Sequence, residues 1–340
     1  MTRRERGARA AAVAVFLAVV FVAVPWAIAA TARTDLYYTL SSVALLSIAS
    51  GGVWLTFYIG RINIGQGAYA LVGGYVSAVL VQTYGLSFWL TLPIAGLFCA
   101  AVSVLVGLPI LRLRGVYFAM VTLVLTEVAR LAALALPITH GAKGITSIPL
   151  PGPIGLFGFT VVPGFDAFAE RNAAFYFLSV TMMALCFAAL WRLVNSRVGS
   201  LFAALRQNEE LASSMGLNVP ALRILAYAIS SFLGGVAGAI FVAIAQSIYP
   251  SSFTVNDSVN FMLYCFLGGL SYVFGPMLGT LVLYFGWDLL FQLGDYQLLI
   301  YSGVMILLML LLPNGLLSLR LPARKQRLLS PRLPAHKRSG

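Results

Sequence analysis

Apolar residues run along this chain in long continuous blocks, with the polar residues gathered between them. Blocks at 10–30, 36–59, 60–80, 88–111, 116–138, 172–194, 221–246, 277–291 and 298–312, and a shorter one at 258–270, predict membrane-crossing helices. A membrane barrel would instead alternate apolar and polar positions in short segments. The pattern therefore predicts an all-α, polytopic membrane protein of about ten transmembrane helices, some of them short or broken. Residues 1–318 form a single transmembrane domain, and 319–340 form a basic tail.

Small residues modulate these blocks. In 60–80, Ala70, Gly74 and Ala78 recur every four residues and predict a helix that packs backbone to backbone. Gly73 stands beside them, and Asn63 and Gln66 are polar near the start of the same block. Their spacing leaves two readings open, structural contacts or a place on a solute pathway. In 221–246, Ser230, Gly234 and Gly238 share one packing face, with Ser231, Gly235 and Ala239 beside them. The block at 258–270 runs into Gly268, Gly269, Gly275, Pro276 and Gly279, a short, interrupted segment of the kind that marks pathways in transporters.

The longest interior stretch that belongs in water is 195–218. A helix over about 199–217 is predicted, with Ser200 as its N-cap and Gly216, Asn218 and Pro220 as the stop. Leu201, Ala204, Leu205, Leu211 and Met215 would share its apolar side, opposite Arg206, Gln207, Asn208, Glu209 and Glu210. Such a helix either lies on the membrane surface or docks a partner. The one long non-cytoplasmic segment, about 139–171, is rich in glycine and proline, which predicts a loop without long helices.

Composition agrees with the pattern and adds an orientation. The 340 residues are 60% hydrophobic and 9% charged, with a mean hydropathy of +0.93, outside the range of soluble domains. The net charge of +12 does not point to nucleic acid, because the basic residues sit in short segments between apolar blocks. With the N-terminus inside, 18 of the 22 lysines and arginines fall on the cytoplasmic side, including Arg61, Arg112, Arg114, Arg192, Arg197, Arg206 and Arg223. That bias predicts ten spans with both termini cytoplasmic and a retained first helix at 10–30, although its flanks also fit a signal peptide.

The chemistry is sparse. Cys99, Cys186 and Cys265 lie in apolar blocks without paired spacing, and His140 and His336 are far apart, so neither disulfide nor metal site is expected. Phosphate-loop, nucleophile-elbow and metalloprotease motifs are absent, so no catalytic residue, cofactor or ATP hydrolysis by this chain is expected. The one ionisable pair well inside a block is Glu127 and Arg130, about 18 Å along its helix. At that depth it is either a buried structural ion pair or faces a wet cavity.

Several separated stretches, INIGQGAYALVGGY, LRLRGVYFAMVTLVLTEVARL, HGAKGITSIP, RVGSLFAALRQNEELASSMGLN, FLGGLSYVFGPMLGT and LLLPNGLL, together resemble the LivM-type permeases of branched-chain amino acid ABC transporters. The resemblance covers nearly the whole chain. It implies a multi-pass permease of the bacterial inner membrane that carries branched-chain amino acids. It also implies work with two ATP-binding subunits, a second related permease and a periplasmic substrate-binding protein. In that family the loop before the seventh span docks on the ATPase, which places Arg206, Asn208, Glu209, Glu210, Ala212 and Gly216 on a coupling element. Glu210, Ala212 and Gly216 match the spacing of the wider E-A-A-x-x-x-G coupling motif, but Leu211 holds its middle position and the downstream proline is missing. Urea or short-amide permeases of the same family are the alternative. From another class, an ion-coupled secondary transporter would have only Glu127 and Asp288 for coupling.

Overall fold

The computed structural model describes residues 24–25, 28, 34–113, 115–156, 159–162, 164–165, 170–290, 294, 296–311 and 315–318. Most of the first apolar block and the basic tail at 319–340 lie outside the described residues. The helices are α1 (Asp35–Tyr58), α2 (Gln66–Gln82), α3 (Phe88–Ile110), α4 (Val116–Ala135), α5 (Arg171–Val194), α6 (Arg197–Gln207), α7 (Glu209–Ser214), α8 (Val219–Ala245), α9 (Val255–Gly268), α10 (Gly275–Leu289) and α11 (Gln297–Leu311). Among the described residues, α1, α3, α4, α5 and α8 are each long and apolar enough to cross a bilayer. The others are shorter, with 17 residues in α2, 14 in α9 and 15 each in α10 and α11. At about 1.5 Å per residue, they reach only part of the way across a core about 30 Å thick.

Helix α8 is the centre of the packing, set against α2, α3 and α1. Its small-residue faces allow this. A Cβ at Gly235 would stand 2.8 Å from the Ala95 carbonyl oxygen and from Cys99 Sγ, and one at Gly238 would run into the Ala70 carbonyl. Gly73 has Gly235 backbone directly against it, and a Cβ at Gly74 would stand 2.5 Å from Ile248 Cδ1. The spaced small residues of the sequence are thus helix contacts. Between membrane helices the gain comes from close van der Waals packing, since lipid is as apolar as the side chains.

The connections gather at two ends of the bundle. At one end Tyr58 Oη donates to Gly199 O (3.4 Å), Arg61 to Leu113 O (2.6 Å) and Trp54 Nε1 to Leu270 O (3.0 Å). At the other, Gln82 Nε2 donates to Thr146 O (3.2 Å) and Trp89 Nε1 to Gly152 O (2.9 Å). There the strands β1 (Ile145–Thr146) and β4 (Ser247–Ile248) pair antiparallel, as do β2 (Ile154–Leu156) and β3 (Phe159–Val162). The glycine- and proline-rich loop therefore has short 3-10 turns and strands of two to four residues.

The water-facing stretch differs from its prediction. Two helices, α6 and α7, replace one helix over 199–217, because Asn208 is extended (φ −159°, ψ 110°) and caps α7 by accepting from Leu211 N (3.0 Å). The N-cap of α6 is Ser196, one turn before Ser200, and its side chain accepts from Gly199 N. The break also divides the expected apolar side. Phe202, Ala203, Leu205 and Ala212 are buried, whereas Leu211 and Met215 are 58% and 75% exposed. Gly216 does end α7, at φ +83°.

Candidate functional site

The α6–α7 element is fastened to the bundle at two points. Ala212 packs with Leu205 and Val219 in a small apolar cluster. The Glu209 carboxylate, in the first turn of α7, accepts a hydrogen bond from Arg223 Nη2 in the first turns of α8. Arg61 Nη2 stands 3.8 Å from the same carboxylate. Arg61 itself is buried, donates from Nη1 to Leu113 O (2.6 Å), and lies over the Phe118 ring at 5.9 Å. One carboxylate thus joins α7, α8 and the link between α1 and α2.

On the sequence alone, Arg61 counts among the cytoplasmic basic residues that orient the chain. In the structure the residue is buried inside the protein. No signal in the sequence marks this, since its neighbours Gly60 and Ile62 are exposed and only the fold turns Arg61 inward. Around the fastening, Arg206, Asn208, Glu210 and Gly216 are exposed. Nothing within 4 Å crowds Gly216, so its positive φ, not space, asks for glycine. Glu210, Leu211 and Met215 form an open surface on α7 and its C-terminal cap.

From Arg61 the chain runs without helix to Gly65 before α2 begins at Gln66. This stretch is strapped to α4, where Thr122 Oγ1 accepts from Ile64 N (3.1 Å). The first turn of α2 meets α9, with Gly67 N donating to Ser258 Oγ (3.0 Å), and Ser258 Oγ lies 3.0 Å from Thr126 Oγ1. Gln66 Nε2 donates to Ser230 O (2.9 Å), and Ser230 Oγ donates to Gly52 O (2.8 Å) with Gln66 Oε1 3.2 Å away. A Cβ at Gly234 would come 2.9 Å from Gln66 Nε2, so glycine there makes room for the amide. Asn63 Oδ1 accepts from Gly65 N (2.9 Å), while its Nδ2 meets no acceptor among the described residues. Gln66 is therefore a structural contact between α2 and α8, and both Asn63 and Gln66 are fully buried.

The remaining singled-out residues divide. Gly73 and Gly74 are packing contacts with α8 and β4. Gly268, Gly269, Gly275 and Pro276 form the tight turn of an α9–α10 hairpin. Gly268 packs on the Gly275 carbonyl, and Gly269 has φ +110°. Glu127 and Arg130 do form an ion pair, with Arg130 Nε 3.0 Å from each Glu127 oxygen. Within this chain the pair is only partly enclosed, with side chains 42% and 31% exposed. Asp288, on α10, is exposed. Among the described residues, no cluster of histidine, cysteine or acidic side chains has metal-binding geometry.

Residues 36–313 match the family described as branched-chain amino acid transport system, permease component. The high-affinity branched-chain amino acid transport system permease protein LivM of Escherichia coli K12 is 34% identical over 276 residues, 77% of this chain and 65% of that protein. The chain thus spans slightly under two thirds of that relative's length. A probable branched-chain amino acid transport permease protein LivH of Methanocaldococcus jannaschii is 28% identical over 251 residues, covering 70% of this chain and 75% of that protein. The ribose import permease RbsC of Escherichia coli K12 is 26% identical over 291 residues, with 82% and 85% covered. No solved structure matches the chain. With five helices long and apolar enough to cross a bilayer among the described residues and a family match over residues 36–313, the chain belongs to the permease family of branched-chain amino acid transport systems.

Proposed function

We propose that the chain is the membrane-spanning subunit of an ATP-driven importer that moves branched-chain amino acids across the bacterial inner membrane. Two ATP-binding subunits, a second related permease and a periplasmic binding protein complete the assembly. Both termini and the α6–α7 end are cytoplasmic, and the 139–171 loop faces the binding protein. This orientation is supported by the charge bias of the sequence and by the grouping of its basic connections at one end of the bundle. Solute specificity rests on the likeness to the LivM permeases.

The observation that carries the reading is the Glu209 fastening. A helix that merely rests on the membrane needs no charged tie to two separate membrane elements. A helix that receives force from an ATPase does need one, because a loosely held helix would turn without moving the bundle. Exposed Glu210, Leu211 and Met215 supply the docking surface, with Arg206 and Asn208 at its edge and Gly216 setting where it ends.

Reconstituting the complete complex in vesicles and measuring ATPase and uptake with leucine, isoleucine, valine and urea tests the proposal. ATP-dependent amino acid uptake is expected. Urea uptake alone would move the chain to the urea or short-amide alternative. Uptake that follows an ion gradient and ignores ATP would overturn the ABC reading in favour of a secondary transporter.

A further inference from the structure

Helix α4 uses a narrow face inside this chain. Phe118, Ala119, Thr122, Thr126 and Ala133 are buried, and Tyr117, Met120, Val124, Val128 and Leu131 lie open on the other side. An open apolar face alone is no sign of a partner, since lipid covers it equally well. Helix α3 makes the comparison. Its open residues, Leu90, Ile94, Leu97, Phe98, Leu105 and Leu108, are all aliphatic or aromatic, and α3 carries no charged residue at all.

Helix α4 does carry charge, at the edge of its open side. Glu127 lies 11 residues into a 20-residue helix, about 16 Å from its start and near the middle of a core about 30 Å thick. Arg130 does not reach out to the nearer membrane surface. Its guanidinium turns back toward the helix start, onto Glu127, with Nε 3.0 Å from both carboxylate oxygens. Val116, Met120, Leu123, Glu127, Arg130 and Leu134 alternate at spacings of four and three, so they form one stripe along the helix. This stripe borders the buried face, with Leu123 half-buried, and it carries the pair between apolar residues on either side.

Arg130 Nη2 also donates to Glu127 Oε1 (2.5 Å), but a carboxylate and a guanidinium have more hydrogen-bonding sites than these three contacts satisfy. Acyl chains cannot satisfy the rest, which is why ionisable groups at this depth face other protein or water. We infer that the open side of α4 is the seam against the second permease subunit, with the Glu127–Arg130 pair held inside that seam. The inference rests on the reading of this chain as one of two permeases. Depth selects the partner: soluble subunits meet the ends of a bundle, and only another membrane-spanning subunit reaches a pair near mid-core.

The test is site-specific photocrosslinking in membranes that contain the full complex, with the second permease tagged. A benzophenone amino acid replaces Val124 or Val128 on α4, or Leu97 or Leu105 on α3. The α4 positions are expected to yield an adduct containing the tagged permease, and the α3 positions none. Adducts from α3 alone would overturn the seam while leaving the paired-permease reading intact. Absence of any second permease from the purified complex would overturn both. As a second measurement, Arg130→Leu strands the Glu127 charge in the seam and is expected to lower the amount of second permease co-purified per copy of this chain. An unchanged ratio would count against the pair's place in the contact.

Discussion

Arg223 donates to the Glu209 carboxylate across the bend between α7 and α8, and Arg61 Nη2 stands 3.8 Å from the same oxygen, Oε2. An exposed ion pair contributes up to about 1 kcal/mol, and breaking a buried one costs roughly 3–5 kcal/mol. This pair is partly buried, so Glu209→Gln is expected to fall between these, at about 2 kcal/mol. The expected phenotype is an assembled complex that hydrolyses ATP with reduced uptake per ATP. The exchange Glu209→Arg with Arg223→Glu should recover part of the coupling, although Arg61 then faces a like charge. Parent-like uptake per ATP in Glu209→Gln, Glu209→Arg and Arg223→Glu alike would remove the fastening from the mechanism.

Gly216 offers a cleaner probe of backbone geometry, because a side chain there meets nothing within 4 Å while φ is +83°. Gly216→Val is expected to cost about 1–3 kcal/mol of local strain and to leave insertion intact while uptake falls. Gly216→Asn, which tolerates positive φ better, should retain most activity. Parent-like uptake in both variants would show that the turn is not needed.

Glu210, Leu211 and Met215 can be tested without disturbing the fold, since all three are exposed. Glu210→Lys and Leu211→Asp are expected to reduce co-purification of the ATPase subunits at unchanged membrane levels of this chain. Charge reversal in a docking surface adds repulsion and also removes attraction. Normal assembly and uptake in both variants would make α7 a surface helix only.

Stability should respond most at the contacts of α8 with α2 and α3. Gly235→Leu forces a side chain against Ala95 and Cys99, and overpacking of this kind costs about 1–3 kcal/mol or more. Gln66→Leu leaves the Ser230 carbonyl oxygen without its side-chain donor, at a further cost of about 1–3 kcal/mol. Both are expected to lower the thermal unfolding midpoint in detergent, and Leu97→Ala, on the open face of α3, much less.

Orientation is tested by labelling single cysteines in a background lacking Cys99, Cys186 and Cys265. A cysteine at Ser213 is expected to be protected from an impermeant reagent applied from the periplasm, and one at Lys143 to react.

The class of the protein was legible from the sequence because burial in lipid is a property of composition: a block of about twenty apolar residues has few other places to go. Packing faces were legible for a similar reason, since small residues at intervals of four on 60–80 and 221–246 must share one side of a helix. Local chemistry also marked the glycine-closed end at Gly216 and the irregular 139–171 loop. The break at Asn208 escaped the helical pattern, because an asparagine within a polar turn fits a helix surface and an N-cap equally well. Tertiary structure decided between them by pulling Glu209 toward Arg223 and Arg61, which turned Leu211 and Met215 outward. The same long-range contacts decided the fate of the isolated polar residues. Gln66 found Ser230 164 positions away, and Arg61 found Leu113 and Glu209. Glu127 and Arg130, among the described residues, found each other. A sequence states that such groups need partners, and the distance between partners along the chain is what only the folded bundle resolves.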